Sequence, residues 1–260
     1  MKTIYKVYEN KYFNNLLLNL ISVKYQDNAS IENAEYYITL KNAHNYIDNP
    51  CITFKTMLYI CSLLTECGLN DNTFTITTTD VRNKLSISDI TYFESAIKYL
   101  SSICYDYKVN SSWHSCNIIS SYTRSKGYFK VVIDDDFLSL LDRTKQFYQV
   151  PKCLLNSDIR YNKHSIFIAN YILLHKRRNK GKRNENVVSI KELIKNCPIL
   201  PKYEELSKEQ RQVSRSIIKP FEMNLNFACK LLDMTWQYVD EPNNYIDFTR
   251  AKIVLECRYS

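Results

Sequence analysis

Glycine is scarce in this chain of 260 residues, and the scarcity excludes two common kinds of phosphate-binding site. Only Gly68, Gly127 and Gly181 occur, far apart in the sequence. A Walker loop or a dinucleotide-binding turn needs clustered glycines, because backbone amides must approach the phosphate closely. The chain therefore contains neither of these nucleotide-binding motifs.

The spacings typical of metal sites and nucleases are also missing. The nine cysteines are an odd number without a C-x-x-C pair, and the four histidines are scattered without a His-x-His pair. Zinc sites and metal-dependent tyrosine nucleases need such spacings, and no Ser, His and Asp spacing indicates a catalytic triad. We therefore expect no catalytic chemistry, no metal and no cofactor, with reduced cysteines in the cytoplasm.

Long apolar runs are absent as well. The run Leu16–Ile21 is interrupted by Asn19, whereas a membrane-spanning helix needs about 20 apolar residues, so we expect no membrane segment. Hydrophobic residues make up 45% of the chain, which is enough for a real core. The formal net charge of +8 favours a polyanionic partner.

Basic residues concentrate between Arg160 and Arg183, where no Asp or Glu occurs. Such a run suits contact with DNA phosphates, which position a protein without reading the base sequence. A solvated loop that only aids solubility is the alternative. The predicted phosphate contacts in this run are Lys176, Arg177, Arg178, Lys180, Lys182 and Arg183.

The segment Ser207–Leu232 predicts a long helix. Ser207 and Gln210 have the spacing of a capping box, which gives the helix a defined beginning. Pro220 should kink or divide it, so that residues before Pro220 face DNA and residues after it lie in the core. Apolar residues recur at helical spacing, and the predicted buried stripe contains Val213, Ile217, Phe221, Leu225, Cys229 and Leu232.

The opposite face of this helix carries cations and an amide near its beginning. Arginine can pair bidentately with guanine, and glutamine with adenine, when a helix lies in the major groove of DNA. A solvated surface helix with ordinary arginines is the alternative. The predicted base-reading residues are Lys208, Arg211, Gln212 and Arg215, and the predicted phosphate contacts on this helix are Ser207, Ser216 and Lys219.

The order of elements in the first half of the chain is typical of a winged-helix domain. In such domains the longer helix enters a groove of DNA and the tip of the hairpin contacts the backbone. The predicted elements are a helix over 54–67, a strand over 73–76, a helix over 81–85 capped through Thr77 and Asp80, a helix from Ser88 or Asp89 to about 103, and hairpin strands over 117–123 and 128–133. The outward residues of the longer helix would be Tyr92, Ser95, Lys98 and Tyr99, and the hairpin turn would present Arg124 and Lys126 to phosphates.

A similar order recurs downstream, with helices over 165–178 and 189–198, the long helix, and strands over 234–239 and 251–257. The sequence therefore predicts an α+β fold, mainly α, with two tandem winged-helix domains. The first would cover residues 1–145 with an N-terminal extension. The second, the main DNA-reading domain, would cover residues 150–260. A linker is expected between about Asp142 and Lys152.

Several segments resemble the iteron-binding initiators of plasmid replication. The run Arg215–Asn226 is similar to a signature segment of that family, and Ile168–Leu174 resembles one of its helices. The run Gly127–Ile133 looks like the strand that closes the family's first domain, and Phe54–Leu64 is a weaker match to the core of that domain. The resemblance extends over roughly residues 50–260.

The resemblance implies a replication initiator that binds double-stranded DNA. Monomers would bind direct repeats at an origin, help to open an adjacent AT-rich region and recruit host replication proteins. Homodimers joined through the first domain would bind an inverted repeat and repress the initiator's own gene. Two other functions stay open, namely a winged-helix transcriptional regulator without a role in replication and a basic, non-enzymatic scaffold that meets an acidic protein.

Overall fold

Helices and strands divide between two units of the chain, Met1–Asn156 and Ser157–Ser260. The fold class is therefore α+β, as predicted. The computed structural model describes residues 4–8, 28–33, 36–41, 49–109, 112–142, 147–158, 160, 162–195, 197, 200–201 and 210–257. Among these residues, no helix has both the length and the apolar character that a membrane crossing requires.

The described part of unit 1 contains helices α1 (Pro50–Glu66), α2 (Thr78–Leu85), α3 (Ile90–Ser102), α4 (Asp135–Asp142) and α5 (Lys152–Leu155). Its strands are β1 (Ile4–Tyr8), β2 (Asn28–Asn33), β3 (Tyr36–Lys41), β4 (Thr73–Thr77), β5 (Cys104–Val109), β6 (Ser112–Asn117), β7 (Ile119–Ser125), β8 (Tyr128–Ile133) and β9 (Phe147–Pro151).

Helix α1 forms the centre of unit 1, because its side chains from Cys51 to Ser62 are buried on all sides. Pro50 suits the first turn, where a backbone N–H has no partner within the helix. The side chain of Asn49 caps this turn by accepting from the backbone N–H of Ile52 at 3.2 Å. The buried Lys55 ammonium donates to the carbonyl of Leu85 at 3.0 Å, which offsets part of the cost of burying a charge.

Local capping signals set the beginnings of α2 and α3. Thr77 Oγ1 accepts from the backbone N–H of Asp80 at 3.0 Å, and Asp89 caps α3 by accepting from the N–H of Thr91 at 2.9 Å, so both predicted caps are confirmed. The predicted outward position of Tyr99 is wrong, since only 5% of this residue is exposed and burial raises the pKa of its hydroxyl. Helix α3 contacts α1 on one side and strands β6 and β7 on another, so its buried arc is wider than one stripe.

Strands β4, β8 and β7 form a three-stranded antiparallel sheet in that order. The predicted β7–β8 hairpin is confirmed, but its turn consists of two residues, Lys126 and Gly127, since Ser125 already pairs with Tyr128. Gly127, the second residue of the turn, has φ of +89°, a left-handed conformation that glycine adopts without strain. Arg124 therefore lies within β7 and is not part of the turn.

Two further pairings of unit 1 are not anticipated by the sequence. Strands β5 and β6 extend the hairpin of β2 and β3 into a four-stranded antiparallel sheet of order β2-β3-β5-β6. Strand β9 pairs with β1. Because β9 and α5 occupy residues 147–155, the linker predicted between about Asp142 and Lys152 is wrong, and the two units divide after Asn156.

The described part of unit 2 contains helices α6 (Ser165–Arg178), α7 (Ile190–Lys195), α8 (Gln210–Val213), α9 (Lys219–Leu231) and α10 (Tyr245–Arg250), and strands β10 (Val187–Ser189), β11 (Met234–Tyr238) and β12 (Lys252–Cys257). The strands form one sheet of order β10-β12-β11. Helix, strand, helix, helix and two strands follow each other here as α1, β4, α2, α3, β7 and β8 do in unit 1. The two orders differ by insertions, namely α10 between β11 and β12 in unit 2, and β5 and β6 between α3 and β7 in unit 1. In both sheets the last of the three strands lies between the other two.

The predicted long helix is interrupted immediately before Pro220. Between α8 and α9 the chain makes π-helical turns over Ser214–Ile218, in which the N–H of Lys219 bonds to the carbonyl of Ser214, five residues back. The start predicted at Ser207 lies outside the described residues. The predicted apolar stripe is confirmed, because all of its members are buried, namely Val213, Ile217, Phe221, Leu225, Cys229 and Leu232.

Asn224 joins α9 to the beginning of α6. Its side-chain oxygen accepts from the backbone N–H groups of His164 at 2.9 Å and Ser165 at 3.1 Å, and its side-chain nitrogen donates to the carbonyl of Pro220 at 2.7 Å. The first N–H groups of a helix have no partner within the helix. A buried side chain of α9 therefore caps α6 and fixes where the two helices cross.

Candidate nucleic-acid interface

Helix α8, the π-helical turns and α9 together form one helical segment, Gln210–Leu231. The first half of this helical segment has one buried face and one exposed face. Val213 and Ile217 are 2% and 1% exposed, whereas Gln212, Arg215 and Lys219 are exposed. The three exposed residues are spaced by three and four positions, so they share one side of the helix. The structure therefore brings together three of the residues predicted to contact DNA.

The other residues predicted on this helix are placed less completely. Ser216 is half-buried. Arg211 lies within α8, but its side chain is outside the described part of the structure. Ser207 and Lys208 lie outside the described residues, so their predicted roles stay predictions.

Carboxylates lie close to one end of this exposed face. Lys219 lines a groove with Glu222 and Glu241, between the helix and the connection that joins β11 to β12. Tyr238 donates its hydroxyl proton to Glu222 at 2.6 Å, and burial together with this carboxylate raises the pKa of Tyr238. Across the described ranges, no carboxylate forms an ion pair with Arg215. Arg215 is therefore better placed than Lys219 to meet an anionic partner.

Residues 176–183, which we call the basic loop, comprise the end of α6 and the turn after it. Cations here are favourable because the carbonyl end of a helix carries partial negative charge. Lys176 is half-buried, and the remaining predicted phosphate contacts are exposed, namely Arg177, Arg178, Lys180, Lys182 and Arg183. Burial and the neighbouring charge of Arg178 lower the pKa of Arg177.

Hydrogen bonds hold the basic loop in a defined shape. Lys176 donates to the side chain of Asn186 at 3.1 Å, and Lys182 donates to the carbonyl of Arg178 at 2.9 Å. The Glu185 carboxylate turns back and accepts from the backbone N–H of Gly181 at 2.7 Å. The cations of the loop are thus presented from a folded backbone.

The basic loop and Arg215 lie near different parts of the helical segment. The carbonyl of Asn186, just after the loop, accepts from the N–H of Leu255, which pairs with Trp236. Trp236 in turn donates to Asn226 at 2.7 Å. Asn226 lies about 16 Å further along the helical segment than Arg215, at 1.5 Å per residue. The structure therefore does not bring together these two sets of predicted DNA contacts.

In unit 1, helix α3 and the hairpin are joined by an ion pair. The Arg124 guanidinium binds the Glu94 carboxylate and lies 5.9 Å from the centre of the Phe129 ring. The prediction that Arg124 sits in the hairpin turn is wrong, because Arg124 pairs with Phe129 within the sheet. Its side chain is held against α3 by Glu94. Lys126 is exposed in the turn, and the residues predicted on α3 are exposed at Tyr92 and Lys98 and half-buried at Ser95.

Three exposed cations near these surfaces are not nominated by the sequence analysis. Arg82 lines a concave surface with Arg124 and the beginning of α3. Arg250 and Lys252 are exposed where the connection from β11 enters β12. The sequence could have indicated Arg250 and Lys252, because they lie next to or within a predicted strand pair, and the tip of a winged-helix hairpin commonly contacts the DNA backbone.

The described cysteines and other potential metal ligands do not converge on a metal site. None of the nine cysteines forms a disulfide bond, and burial raises the pKa of the Cys61 thiol. Within the described ranges, no group of three or more His, Cys, Asp or Glu side chains is arranged to hold a metal ion.

Replacement of Glu94 by glutamine is expected to strengthen the binding of duplex DNA, because it releases the charge of Arg124 from an ion pair. At low salt we expect affinity for a duplex of arbitrary sequence to rise about two- to fivefold, with a salt dependence steeper by about one released counterion. Fluorescence anisotropy over a salt series measures both quantities. Glu66→Gln, at the exposed end of α1, controls for the change in net charge. Equal gains in both variants would contradict a specific role for the Glu94–Arg124 pair.

Comparison with known proteins finds a solved structure with a similar fold. No described protein family and no curated protein matches the chain. A crystal structure of domains 2 and 3 of RctB is similar to it, with a TM-score of 0.55 and 11% sequence identity. The match covers 94% of this chain and 99% of that one. At this level of identity, what the two chains are shown to share is the fold.

Proposed function

We propose that this chain is a replication initiator that binds duplex DNA through two winged-helix units. Two observations support the units: the common order of helices and strands, and the central position of the last strand in both three-stranded sheets. RctB, to whose domains 2 and 3 the chain is similar, is a replication initiator. The formal net charge of +8 suits a nucleic-acid partner.

The observation that carries the proposal is the two-faced helical segment of unit 2. Its apolar residues are buried, and Gln212 and Arg215 extend from the opposite side. A helix that is fixed by its apolar side and presents an amide and a guanidinium on the other can lie in the major groove and read base edges. The pairing of Arg215 with guanine would supply about 1–3 kcal/mol of discrimination.

In the proposed mechanism, unit 2 supplies most of the sequence recognition. In unit 1, Tyr92 and Lys98 offer α3 only limited means of reading bases, since Glu94 beside them is anionic. Lys126 at the hairpin turn would contact phosphates and set the register of unit 1 on the duplex. Chains bound at direct repeats near an origin would help to open adjacent AT-rich DNA and recruit host replication proteins in the cytoplasm. Homodimers would bind an inverted repeat and repress the chain's own gene.

Footprinting on the DNA that flanks the gene tests this proposal. An initiator should protect direct repeats whose centres lie one or two helical turns apart, or about 10 to 21 base pairs. Deletion of the repeats should abolish replication of a plasmid that depends on this protein. Protection of a single palindrome, with replication unaffected by its loss, would instead identify a transcriptional regulator. Equal and weak binding to all duplexes would identify a scaffold and would refute the initiator.

A further inference from the structure

We propose that the basic loop is a second DNA-binding surface, which holds the phosphate backbone of a different duplex from the one that the helical segment reads. The inference goes beyond the proposed function, which uses one duplex-reading face in unit 2. Under it, one copy of unit 2 bridges two DNA segments. The sequence alone favours a different assignment, in which the loop and the helix contact the same site.

The position of the basic loop separates it from the reading face. The loop ends beside Leu255 and Trp236, at the level of Asn226, whereas the connection between β11 and β12 lies beside Val213 and Lys219. Strand β10 pairs Val187 with Val254 and Ser189 with Lys252, so the loop before β10 lies toward the end of β12 that is remote from this connection. The basic loop therefore occupies the end of the sheet opposite the hairpin connection.

The charges of the loop lie close together on a backbone that hydrogen bonds order. Lys180, Lys182 and Arg183 are exposed within four positions, and the nearby Glu185 carboxylate is directed to the backbone N–H of Gly181. Mutual repulsion of these cations opposes folding of the loop, and a polyanion relieves that repulsion when it binds. Because hydrogen bonds already order the backbone, little conformational entropy is lost on binding.

The composition of the loop favours the backbone of a duplex over single-stranded DNA. Residues 176–183 contain lysine, arginine, asparagine and glycine, and no aromatic residue on which an unpaired base could stack. Lysine, arginine and asparagine side chains are ordinary donors to phosphate oxygens. The surface should therefore hold duplex DNA of any sequence, with strong dependence on salt.

The number of short duplexes bound per chain tests the proposal. The probe is a DNA hairpin with an eight-base-pair stem, about 27 Å long at 3.4 Å per base pair, titrated into the full-length chain in low salt by calorimetry. We expect the variant Lys180→Gln, Lys182→Gln, Arg183→Gln to bind one hairpin fewer than the native chain and to retain the affinity of the remaining sites within about twofold. Arg215→Ala should weaken a different site, and the combined variant should show both effects.

The control is Lys130→Gln, Lys191→Gln, Lys195→Gln, which removes three exposed lysines outside the loop and should leave the number of bound hairpins unchanged. The bridging proposal is overturned if the loop variant binds as many hairpins as the native chain. It is also overturned if the loop variant and Arg215→Ala weaken one and the same site. If Arg215→Ala has no effect while the loop variant still loses one hairpin, the reading face fails and the second surface stands.

Discussion

Replacement of Asn224 by leucine should destabilise unit 2 by about 3 kcal/mol. Leucine has the same number and branching of side-chain heavy atoms, but it leaves the N–H of His164 without its acceptor and removes the side-chain donor to the carbonyl of Pro220. The N–H of Ser165 would keep only the carbonyl of Asn162, at 3.1 Å. A buried polar group without a partner costs about 1–3 kcal/mol. Ser165 is fully buried and His164 nearly so, which limits compensation by water.

Urea unfolding of the full chain measures this loss. The chain has two tryptophans, Trp113 in unit 1 and Trp236 in unit 2, so a Trp113→Phe background reports on unit 2. We expect a lower midpoint at an unchanged slope. Asn226→Leu is the matched control, because it removes one hydrogen bond from an exposed asparagine on the same helix and should cost about 1 kcal/mol. Similar losses in the two variants would contradict the capping role of Asn224.

The same helix shows which features of the fold a sequence can predict. Its stripe runs through Val213, Ile217, Phe221 and Leu225 in steps of four residues. On an α-helix with 3.6 residues per turn, each step of four advances about 40° beyond a full circle, so an unbroken α-helix would rotate the stripe away from the core. The π-helical turns contain more residues per turn and take up this drift. The burial of the stripe follows from its period, and the interruption follows from Pro220, which has no N–H to donate.

Local signals explain the other correct predictions, and long-range pairing explains the errors. The caps at Thr77 and Asp89 depend on residues two or three positions away, and they form as predicted. The sheet that joins β3 to β5 pairs segments far apart in the chain, and periodicity carries no information about partners. Pro151 reads as the end of a linker, but it ends strand β9 at a place where its missing N–H is tolerated.

In the candidate interface too, local features could be predicted from the sequence, whereas contacts between distant segments could not. The exposed side of the helical segment follows from helical periodicity, because the side opposite a buried stripe must face solvent. The side-chain partner of Arg124 could not be predicted, since Glu94 lies on another element and comes close only through the packing of α3 against β7. The distance between the basic loop and Arg215 likewise depends on the register of β12 with its two neighbours.

Replacement of Arg215 by alanine should remove the part of the sequence preference that recognition of one base pair supplies. With the protected site as one probe and a scrambled duplex of equal composition as the other, we expect the ratio of affinities to fall about 5- to 150-fold, which corresponds to about 1–3 kcal/mol for one bidentate pair with guanine. Affinity for the scrambled duplex should fall only by the amount that the loss of one positive charge causes. Gel shifts on both probes, at one fixed salt concentration, measure the ratio.

Two further variants separate base reading from general attraction. Arg215→Lys keeps the charge but cannot form the planar bidentate pair, so it should lose part of the preference that Arg215→Ala loses while retaining affinity for the scrambled duplex. Lys219→Ala removes a cation that shares a groove with Glu222 and Glu241, so it should weaken both probes slightly and equally. If Arg215→Ala and Arg215→Lys both keep the preference of the native chain, Arg215 contacts phosphate, and base reading must come from other residues of the segment.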